Sequence, residues 1–404
     1  MIAAEGSTRD QALAEQDIGE FFPGSSGTAH VNREKFRPTL LYWQSGAHSE
    51  TAQRCVKHDP GHPLSNSAAA PTLDGRSVPD EDWILIRRAF SDYEMVDVRR
   101  LSSRKTGVGE IAVYRVQPGK NGLHDPIVFI VKIAPPEQID REFGALEDLC
   151  GDKTPFPYFP PVARERCVSG RSRAALVSHF VDRAVQFERF IGSHSPALAV
   201  ASLFDGPLRC WHAHALPGKF RLGAYMMDTG VVRRTPKAYN DAFTAAQLLV
   251  HSVSDPASLL RRLEASPEQE VLACASHGDL HLKNLRVRDN TAEVVLIDFA
   301  RANAGAPISR DPAELEVSLA FDRPGKDEDD VDGELREQFY KPPLLARRVV
   351  GRNAHPRLLA IEQIRRQISN LVSEAEYSVM VAAHCLYYAR RGDAAAYLAA
   401  DRLI

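Results

Sequence analysis

Three oxygen-bearing side chains flank two short apolar segments in the second half of the chain. Asp279 and Asn284 lie before the first segment, and Asp298 directly follows the second. A β-hairpin of Leu285–Val287 with Glu293–Ile297 would bring Asn284 and Asp298 together, because the open ends of paired strands are neighbours. The sequence therefore predicts a strand pair that carries an amide and a carboxylate to one place, with a second carboxylate beside them.

This set of side chains suits the transfer of a phosphoryl group. The transferred group carries spread negative charge, so its transfer depends on positioning and on neutralisation by a divalent cation. Mg²⁺ prefers hard oxygen ligands, which Asn284 and Asp298 can supply. A separate carboxylate must orient the acceptor hydroxyl and take its proton, and Asp279 is the candidate for this role.

The order and spacing of these residues resemble the active-site signature of the aminoglycoside phosphotransferase and choline-kinase-like group. The matching residues are His277-Gly278-Asp279-x4-Asn284, followed by Ile297-Asp298-Phe299. The resemblance implies an α+β, two-lobed protein-kinase-like fold over residues ~85–400, with a small antiparallel N-lobe and a mainly helical C-lobe. It also implies that Asp279 is the catalytic base, that Asn284 and Asp298 bind Mg²⁺, and that His277 braces the loop.

Two other regions, Ile133–Glu142 and Ile297–Leu319, are similar to kinase-like modules of multi-gene bacterial conflict or signalling systems. This looser similarity implies a role beside partner proteins. Residues 1–80 would then offer a surface to such partners.

Residues 81–181 are predicted to form the N-lobe, as a small antiparallel sheet with one helix packed against it. The spacing of Ile139, Phe143 and Leu146 predicts the helix, over Glu137–Leu149. The strand-rich block begins near Trp83 with the apolar run Ile84-Leu85-Ile86. Strands are predicted at Glu94–Leu101, Ile111–Val116, Ile127–Ile133, Val162–Val168 and Ala174–Val181. A loop of small and polar residues, Ser102–Glu110, separates the first two of these strands.

Lys132 stands alone as a charge in the apolar segment Phe129–Ile133. The kinase fold requires a strand lysine that holds the α- and β-phosphates of ATP and a glutamate on the next helix that fixes it. A buried ammonium is costly without a partner, and Glu142 is the favoured one, with Glu147 and Glu137 as alternatives. The other interpretation places Lys132 at the end of an edge strand, facing water.

Further contacts with the nucleotide are predicted from position. Gly107 and Gly109 occupy the place of a phosphate-covering loop, where backbone N–H groups can approach phosphate oxygens, although an ordinary hairpin turn fits nearly as well. The backbone of His179 and Val181 falls where the chain would cross between lobes and could pair with adenine. Lys283 could steady the γ-phosphate or face solvent. ATP and Mg²⁺ are expected in the interlobe cleft.

Residues 182–404 are predicted to form the helical C-lobe. Helices are predicted at Val185–Ile191, Ala197–His214 with a break at Gly206-Pro207, Ala238–His251, Pro256–Leu263, Leu344–Val350, His355–Val372 and Glu374–Arg391. The acidic stretch Asp322–Glu334 is predicted to be a solvated loop, because like charges repel one another. Asp311 is expected to brace the fold through an ion pair.

Composition narrows the class of protein. The chain of 404 residues carries a net charge of −3, which gives no field that would recruit nucleic acid or an anionic membrane. The six cysteines are scattered without a CxxC pair, so neither a zinc site nor a disulfide frame is indicated. With no apolar leader and no membrane-length apolar run, the chain is expected to be cytoplasmic. Residues 1–80, rich in turn-forming clusters, are expected to be a partly disordered extension.

The function that these patterns favour is ATP-dependent transfer of a phosphoryl group to a hydroxyl of a small molecule or a protein. An alternative is a catalytically weak or inactive nucleotide-binding module that scaffolds partners. A metal-dependent phosphohydrolase using His277 and Asp279 would need further His and Asp ligands at helical spacing, which the sequence lacks. The acidic loop at Asp322–Glu334 could attract a cationic acceptor such as an aminosugar or a choline-like amine, or could be inert.

Overall fold

The computed structural model describes residues 72–73, 76–106, 109–120, 123–150, 158–170, 172–193, 195–322, 340–346 and 355–404. These residues form helices and antiparallel sheets, which confirms the expected α+β class. They divide into two compact units: the described parts of Met1–Gly144 with Pro160–Val181, and of Ala145–Phe159 with Asp182–Ile404. The proposed extension, residues 1–80, lies largely outside the described residues, as does most of the acidic stretch Asp322–Glu334.

A six-stranded antiparallel sheet forms the centre of the first unit. The strands of this unit are β1 Thr72–Leu73, β2 Arg76–Ser77, β3 Met95–Thr106, β4 Gly109–Lys120, β5 Leu123–His124, β6 Phe129–Ala134, β7 Val168–Ser169 and β8 Ala174–His179. Six of them form this sheet, in the order β3-β4-β6-β8-β7 with β5 paired to β4. Alternate residues of β4, namely Ala112, Tyr114 and Val116, are fully buried, as the two-residue period of a strand requires.

Two helices accompany this sheet, where the sequence predicted one. Helix α2, Pro136–Cys150, was expected, but the apolar run Ile84-Leu85-Ile86 lies in helix α1, Asp80–Ala89, and not in a strand-rich segment. Three acidic residues occupy the first turn of α1 and two arginines its last turn, which complements the helix dipole. Leu85, Ile86 and Ala89 are buried at helical spacing, so this segment follows the three-to-four-residue period of a helix and not the two-residue period of a strand.

The expected small-residue loop at Ser102–Glu110 is also different in the structure. Strand β3 continues through Thr106 and β4 resumes at Gly109, so a tight hairpin replaces the loop. Ser102, Ser103 and Arg104 of β3 are exposed and polar. This part of the strand is held by ladder hydrogen bonds and by cross-strand ion pairing of Arg100 with Glu110, not by burial. The strand expected at Val162–Val168 is reduced to an isolated bridge at Val162, a 3₁₀ turn at Arg164–Arg166 and the short β7.

Helices dominate the second unit, as the sequence predicted. They are α3 Phe187–Ser193, α4 Pro196–Leu203, α5 Arg209–His212, α6 Leu222–Asp228, α7 Asn240–Leu249, α8 Pro256–Glu264, α9 Arg310–Phe321, α10 Pro356–Ile368, α11 Glu374–Ala389 and α12 Ala394–Leu403. The break expected at Gly206-Pro207 is a π-helical turn, Phe204–Leu208, between α4 and α5. The helix predicted at Leu344–Val350 lies partly outside the described residues, and residues 344–346 form a turn.

Two three-stranded antiparallel sheets interrupt these helices. One has the order β10-β11-β14, with β10 Leu216–Arg221, β11 Glu268–Ser276 and β14 Asn303–Pro307; the other has the order β13-β12-β9, with β13 Val294–Leu296, β12 Leu285–Arg288 and β9 Ala184–Gln186. The predicted hairpin of β12 and β13 is present, whereas the first of these sheets was not expected. None of the described helices is long and apolar enough to cross a membrane.

A charged cluster lies in the core of the second unit, where α9, α10 and α11 pack together. Glu316 is fully buried and accepts two hydrogen bonds from Arg365, at 3.0 and 2.7 Å. Tyr377 donates its hydroxyl to the same carboxylate at 2.8 Å, and the Arg365 guanidinium lies over the Tyr340 ring. These contacts compensate for the desolvation of both charges.

Candidate active site

The loop that joins β11 to β12 is held from below by one carboxylate of helix α9. Asp311 accepts hydrogen bonds from the Ser276 hydroxyl at 2.8 Å, from the His277 backbone N–H at 2.7 Å and from the Gly278 backbone N–H at 3.0 Å. A carboxylate with two oxygens can accept several donors at once, so a single side chain fixes three consecutive residues. Asp311 thus braces the fold through hydrogen bonds to the loop, where the sequence suggested an ion pair.

Gly278 allows this loop to turn sharply. Its φ is +73°, and a Cβ at this position would lie 2.2 Å from the carbonyl oxygen of Arg301. Both the left-handed backbone and the lack of space therefore require glycine. The carbonyl of Gly278 accepts a hydrogen bond from Arg310 at 3.2 Å, and the same guanidinium donates to the Tyr225 hydroxyl at 2.8 Å.

A second carboxylate of α9 supports the next residue of the loop. Glu314, one helical turn beyond Asp311, accepts a hydrogen bond from the Leu280 backbone N–H at 3.1 Å. Burial, aided by the nearby charge of Asp279, raises the pKa of Glu314 to about 8. The loop therefore rests on two carboxyl groups of one helix face, and burial favours the neutral form of the second.

Backbone pairing brings the two candidate metal ligands to the same end of the β12-β13 hairpin. The Ile297 N–H donates to the Asn284 carbonyl at 3.0 Å, directly beyond the last ladder pair of the β12-β13 hairpin. The residue after Ile297 is Asp298, so the hairpin brings these two positions to the same end. The Asn284 side-chain N–H donates to the Asp279 carbonyl at 2.9 Å, which leaves the amide oxygen as the atom suited to a cation.

The backbone of Asp298 is unusual for a residue that has a side chain. Its φ is +68°, in the left-handed region that non-glycine residues seldom occupy. The flanking residues hold it there: His277 contacts the Ile297 carbonyl through Nε2 at 3.0 Å, and its ring packs against Phe299 with centroids 4.9 Å apart. Because a carbonyl only accepts, Nε2 carries the proton of His277. This histidine links the loop to the strand end.

Asp279 projects among basic side chains. Its carboxylate lies 3.3 Å from the Arg301 guanidinium and 3.7 Å from His281 Nε2. Burial lowers the pKa of His281, although Asp279 opposes the shift. Lys283, predicted to steady a phosphate, has a side chain that is 66% exposed and lies 3.9 Å from the Asp322 carboxylate.

The first unit holds the predicted lysine–glutamate pair. Lys132 and Glu142 are both buried, and their charged groups lie 2.6 Å apart. Lys132 thus pairs with Glu142, the favoured candidate among Glu142, Glu147 and Glu137. Lys132 lies within β6, which pairs with β4 on one side and β8 on the other, so it is not at the end of an edge strand.

The other residues predicted to contact nucleotide have mixed outcomes. Gly109 begins β4 with a φ of +139° beside the ring of Pro135, whereas Gly107 lies outside the described residues. The backbone N–H of His179 donates to the Pro161 carbonyl at 2.9 Å, so this N–H is not available to pair with adenine. Val181 remains a prediction.

Sequence reasoning missed three residues that shape this site and gave a fourth, Asp311, a different kind of contact. Asp311 was considered only as part of an ion pair, and Arg310, Glu314 and Arg301 were given no role in the loop. Asp311 accepts hydrogen bonds from buried backbone N–H groups of the loop, which need such an acceptor, and its place in the chain shortly after Asp298 was the one usable signal. The contact between Arg301 and Asp279 depends on the turn after Phe299, where the Ala302 N–H donates to the Phe299 carbonyl at 3.0 Å.

Comparison with known proteins gives a family match and several distant structures. The family described as "Ternary complex associated domain 9" matches residues 219–386, which is less than half of the chain. No curated protein sequence matches the chain.

Three of the similar solved structures are phosphotransferases or kinases. One is aminoglycoside phosphotransferase APH(3'')-Id from Streptomyces rimosus, with 18% sequence identity, a match over 71% of this chain and 99% of that chain, and a TM-score of 0.36. An aminoglycoside-3'-phosphotransferase of type VIII has 19% identity over 70% of this chain and 97% of that chain, with a TM-score of 0.38. An ethanolamine kinase from Plasmodium vivax has 11% identity over 91% of each chain, with a TM-score of 0.40. At such identities and TM-scores, the case for a function depends on the residues of this chain.

Proposed function

We propose that this protein is an ATP-dependent phosphotransferase with a two-lobed protein-kinase-like fold, which moves the γ-phosphate of Mg-ATP to a hydroxyl. The acceptor belongs to a small molecule or a protein. Asp279 orients the acceptor hydroxyl and takes its proton, Asn284 and Asp298 hold Mg²⁺, and Lys132 with Glu142 holds the α- and β-phosphates. We further propose that the protein works in the cytoplasm.

One observation carries this proposal: hydrogen bonds connect the loop of Asp279 to Asn284 and to Ile297, the residue before Asp298. Asn284 bonds to the Asp279 carbonyl through its side chain and to Ile297, the neighbour of Asp298, through its backbone. His277 reaches the same Ile297 carbonyl from the other side. A loop with only a structural role would not need both a positive φ at Asp298 and a glycine at 278 that packs against the Arg301 carbonyl.

The donor set fits Mg²⁺. The Asn284 amide has its nitrogen engaged and its oxygen suited to a cation, and Asp298 adds a carboxylate. A site of one amide oxygen and one carboxylate, completed by phosphate oxygens, suits Mg²⁺, which usually binds through few protein ligands. When bound, Mg²⁺ would neutralise charge on the phosphates of ATP.

The lysine–glutamate pair supports nucleotide binding. Burying the Lys132 ammonium in an apolar strand costs free energy, and the Glu142 carboxylate at 2.6 Å offsets part of that cost. Lys132 can donate to phosphate oxygens while Glu142 fixes its position. Lys283 is exposed and free to reach toward a γ-phosphate on its long stem, because its contact with Asp322 is long.

Turnover of Mg-ATP by the purified full chain tests the proposal. With labelled ATP, the wild-type protein should release ADP, and Asp279→Asn should slow release about 10²- to 10⁴-fold, the usual contribution of a general base. Asp289→Asn, an exposed aspartate in the β12-β13 turn, is the matched control and should behave as wild type. Equal turnover by wild type and Asp279→Asn would refute the assignment of Asp279 as the base.

A second candidate is a nucleotide-binding scaffold without transfer activity. The match to a domain described as ternary-complex associated favours it, and so does the contact of Asp279 with Arg301, which competes with an acceptor for the carboxylate. This candidate predicts that Mg-ATP raises the unfolding temperature of wild type and of Asp279→Asn alike, while neither protein releases ADP above the rate of buffer alone.

A further inference from the structure

The guanidinium of Arg301 occupies the space beside the proposed base. Its Nη1 lies 3.3 Å from Asp279 Oδ1, and its side chain is 55% exposed, whereas that of Asp279 is 26% exposed. The backbone of Arg301 is fixed independently of this ion pair, because its carbonyl packs against Gly278. The fold therefore delivers a cation to the base, and the cation faces solvent.

Stability does not explain this arrangement. A half-exposed ion pair with one N–O contact contributes about 0–1 kcal/mol and is screened by salt. Arg301 has five N–H donors, and its contact with Asp279 involves one nitrogen. The outward donors of such a planar guanidinium match a carboxylate or a phosphate group.

We propose that Arg301 selects the acceptor: the hydroxyl that receives the phosphoryl group belongs to a molecule with a carboxylate or a phosphate close to that hydroxyl. This inference depends on the proposed phosphotransferase function. The acceptor's anionic group pairs with Arg301 and draws the guanidinium away from Asp279, so that Asp279 can accept the hydroxyl proton. The hydroxyl oxygen then forms a bond to the γ-phosphorus as the bond to the β-γ bridging oxygen breaks, and ADP leaves with that electron pair.

The charges around Asp279 disfavour the opposite class of acceptor. An ammonium brought to the base would meet Arg301 at close range, with Lys283 exposed on the same loop. Burial and the charge of Asp279 raise the pKa of Glu314, a carboxyl group of α9 that supports the same loop, so it compensates less than an ordinary carboxylate would. Asp322, the first residue of the acidic stretch that suggested a cationic acceptor, lies 3.9 Å from Lys283, so its charge already faces a cation of this chain.

Acceptors matched in their hydroxyl but different in charge test the proposal. Glycerate and glycerol phosphate represent the anionic class, glycerol the neutral one and aminopropanediol the cationic one. Serine peptides flanked by aspartate, alanine or lysine test whether the anion comes from a small molecule or from an acidic protein segment. The measurement is transfer of label from ATP to acceptor by the full-length protein, as kcat/KM for each acceptor.

We expect one anionic series to exceed its neutral and cationic counterparts about tenfold or more, which is the factor that one charge-assisted hydrogen bond supplies. Arg301→Ala should abolish this preference, Arg301→Lys should retain part of it, and Arg301→Glu should shift it toward the cationic acceptors. Arg261→Ala removes an exposed arginine of α8 and is the control that should keep the preference. Thermal melts establish that each variant is folded.

Three results would overturn the proposal. One is equal or better use of neutral or cationic acceptors by the wild type, and another is an unchanged preference in Arg301→Ala. In the third, Asp279-dependent hydrolysis of Mg-ATP is present but no acceptor is labelled, in which case the phosphotransferase site stands and the inference on the acceptor is wrong. Absence of any ATP turnover would instead refute the phosphotransferase function, and the acceptor proposal with it.

Discussion

Gly278 shows how a single residue sets the position of the loop that carries Asp279. Two separate constraints act at this glycine: a left-handed backbone, and the Arg301 carbonyl 2.2 Å from where a Cβ would lie. The first constraint acts within the residue, whereas the second couples the loop to the turn that follows Asp298. Substitution should therefore disturb both the proposed base and the proposed metal ligand.

Gly278→Ala should unfold at a lower denaturant concentration than wild type, with a loss of more than about 2 kcal/mol, because backbone strain and a clash add. Gly230→Ala is the matched control: its φ of +76° is nearly the same, but nothing lies within 4 Å of the added Cβ. This control should lose only about 1–2 kcal/mol, the cost of the left-handed backbone alone. Equal losses in the two variants, measured by urea denaturation, would show that the contact with Arg301 is not restrictive.

Glu314 predicts a dependence of stability on pH. It faces the charges of Asp279, Arg310 and Asp311 and the Tyr388 ring hydroxyl, and accepts the Leu280 N–H. Its pKa of about 8 in the folded protein lies above the ordinary value of 4.5. Between these two pH values the unfolded chain binds fewer protons than the folded one, so the free energy of unfolding falls as pH rises and levels off above pH 8.

Glu314→Gln should remove this contribution while its amide oxygen still accepts the Leu280 N–H. The variant should gain stability relative to wild type as pH rises from 5 to 9, by on the order of 1 kcal/mol or more, since each unit of pKa shift is worth about 1.4 kcal/mol. Denaturation midpoints of both proteins across this range provide the measurement. A constant difference between them would mean that Glu314 ionises normally in the folded state.

At the scale of elements, the parts that the sequence predicted are those with a strong local pattern. The β12-β13 hairpin combines two apolar runs with a turn, and α2 and α11 repeat apolar residues at helical spacing, so each pattern is complete within one segment. The pairing of Lys132 with Glu142 follows from a strand and the helix after it. Local periodicity is sufficient for such elements.

The missed elements depend on partners distant in sequence. Strand β10 contains a proline and a glycine, alternates weakly and is largely exposed; it exists because β11 pairs with it from about fifty residues away. Strand β14 similarly needs β11. The same reason explains the site: the hairpin ends could be predicted, but the bracing by Asp311, Glu314 and Arg310 depends on how α9 returns beneath the loop.

In the second unit as a whole, the buried pair of Arg365 and Glu316 ties three helices together. Both side chains are almost completely removed from solvent, at 4% and 0% exposure, and Tyr377 supplies a further donor. A pair of this kind contributes little net stability compared with apolar residues of similar size. Loss of one partner, however, leaves the other charge buried and unpaired.

Arg365→Met should therefore destabilise the second unit by about 3–5 kcal/mol, the usual cost of an uncompensated buried charge. The next residue provides the control, because Arg366 forms an exposed ion pair with Glu362 at 3.2 Å on the same helix. Arg366→Met should change the free energy of unfolding by less than about 0.5 kcal/mol. The double variant Arg365→Met with Glu316→Leu should recover much of the loss, because no charge then remains unpaired in the core. If urea denaturation showed no recovery, the penalty would come from altered packing of the substituted side chain against α9 and α11 and not from the unpaired carboxylate.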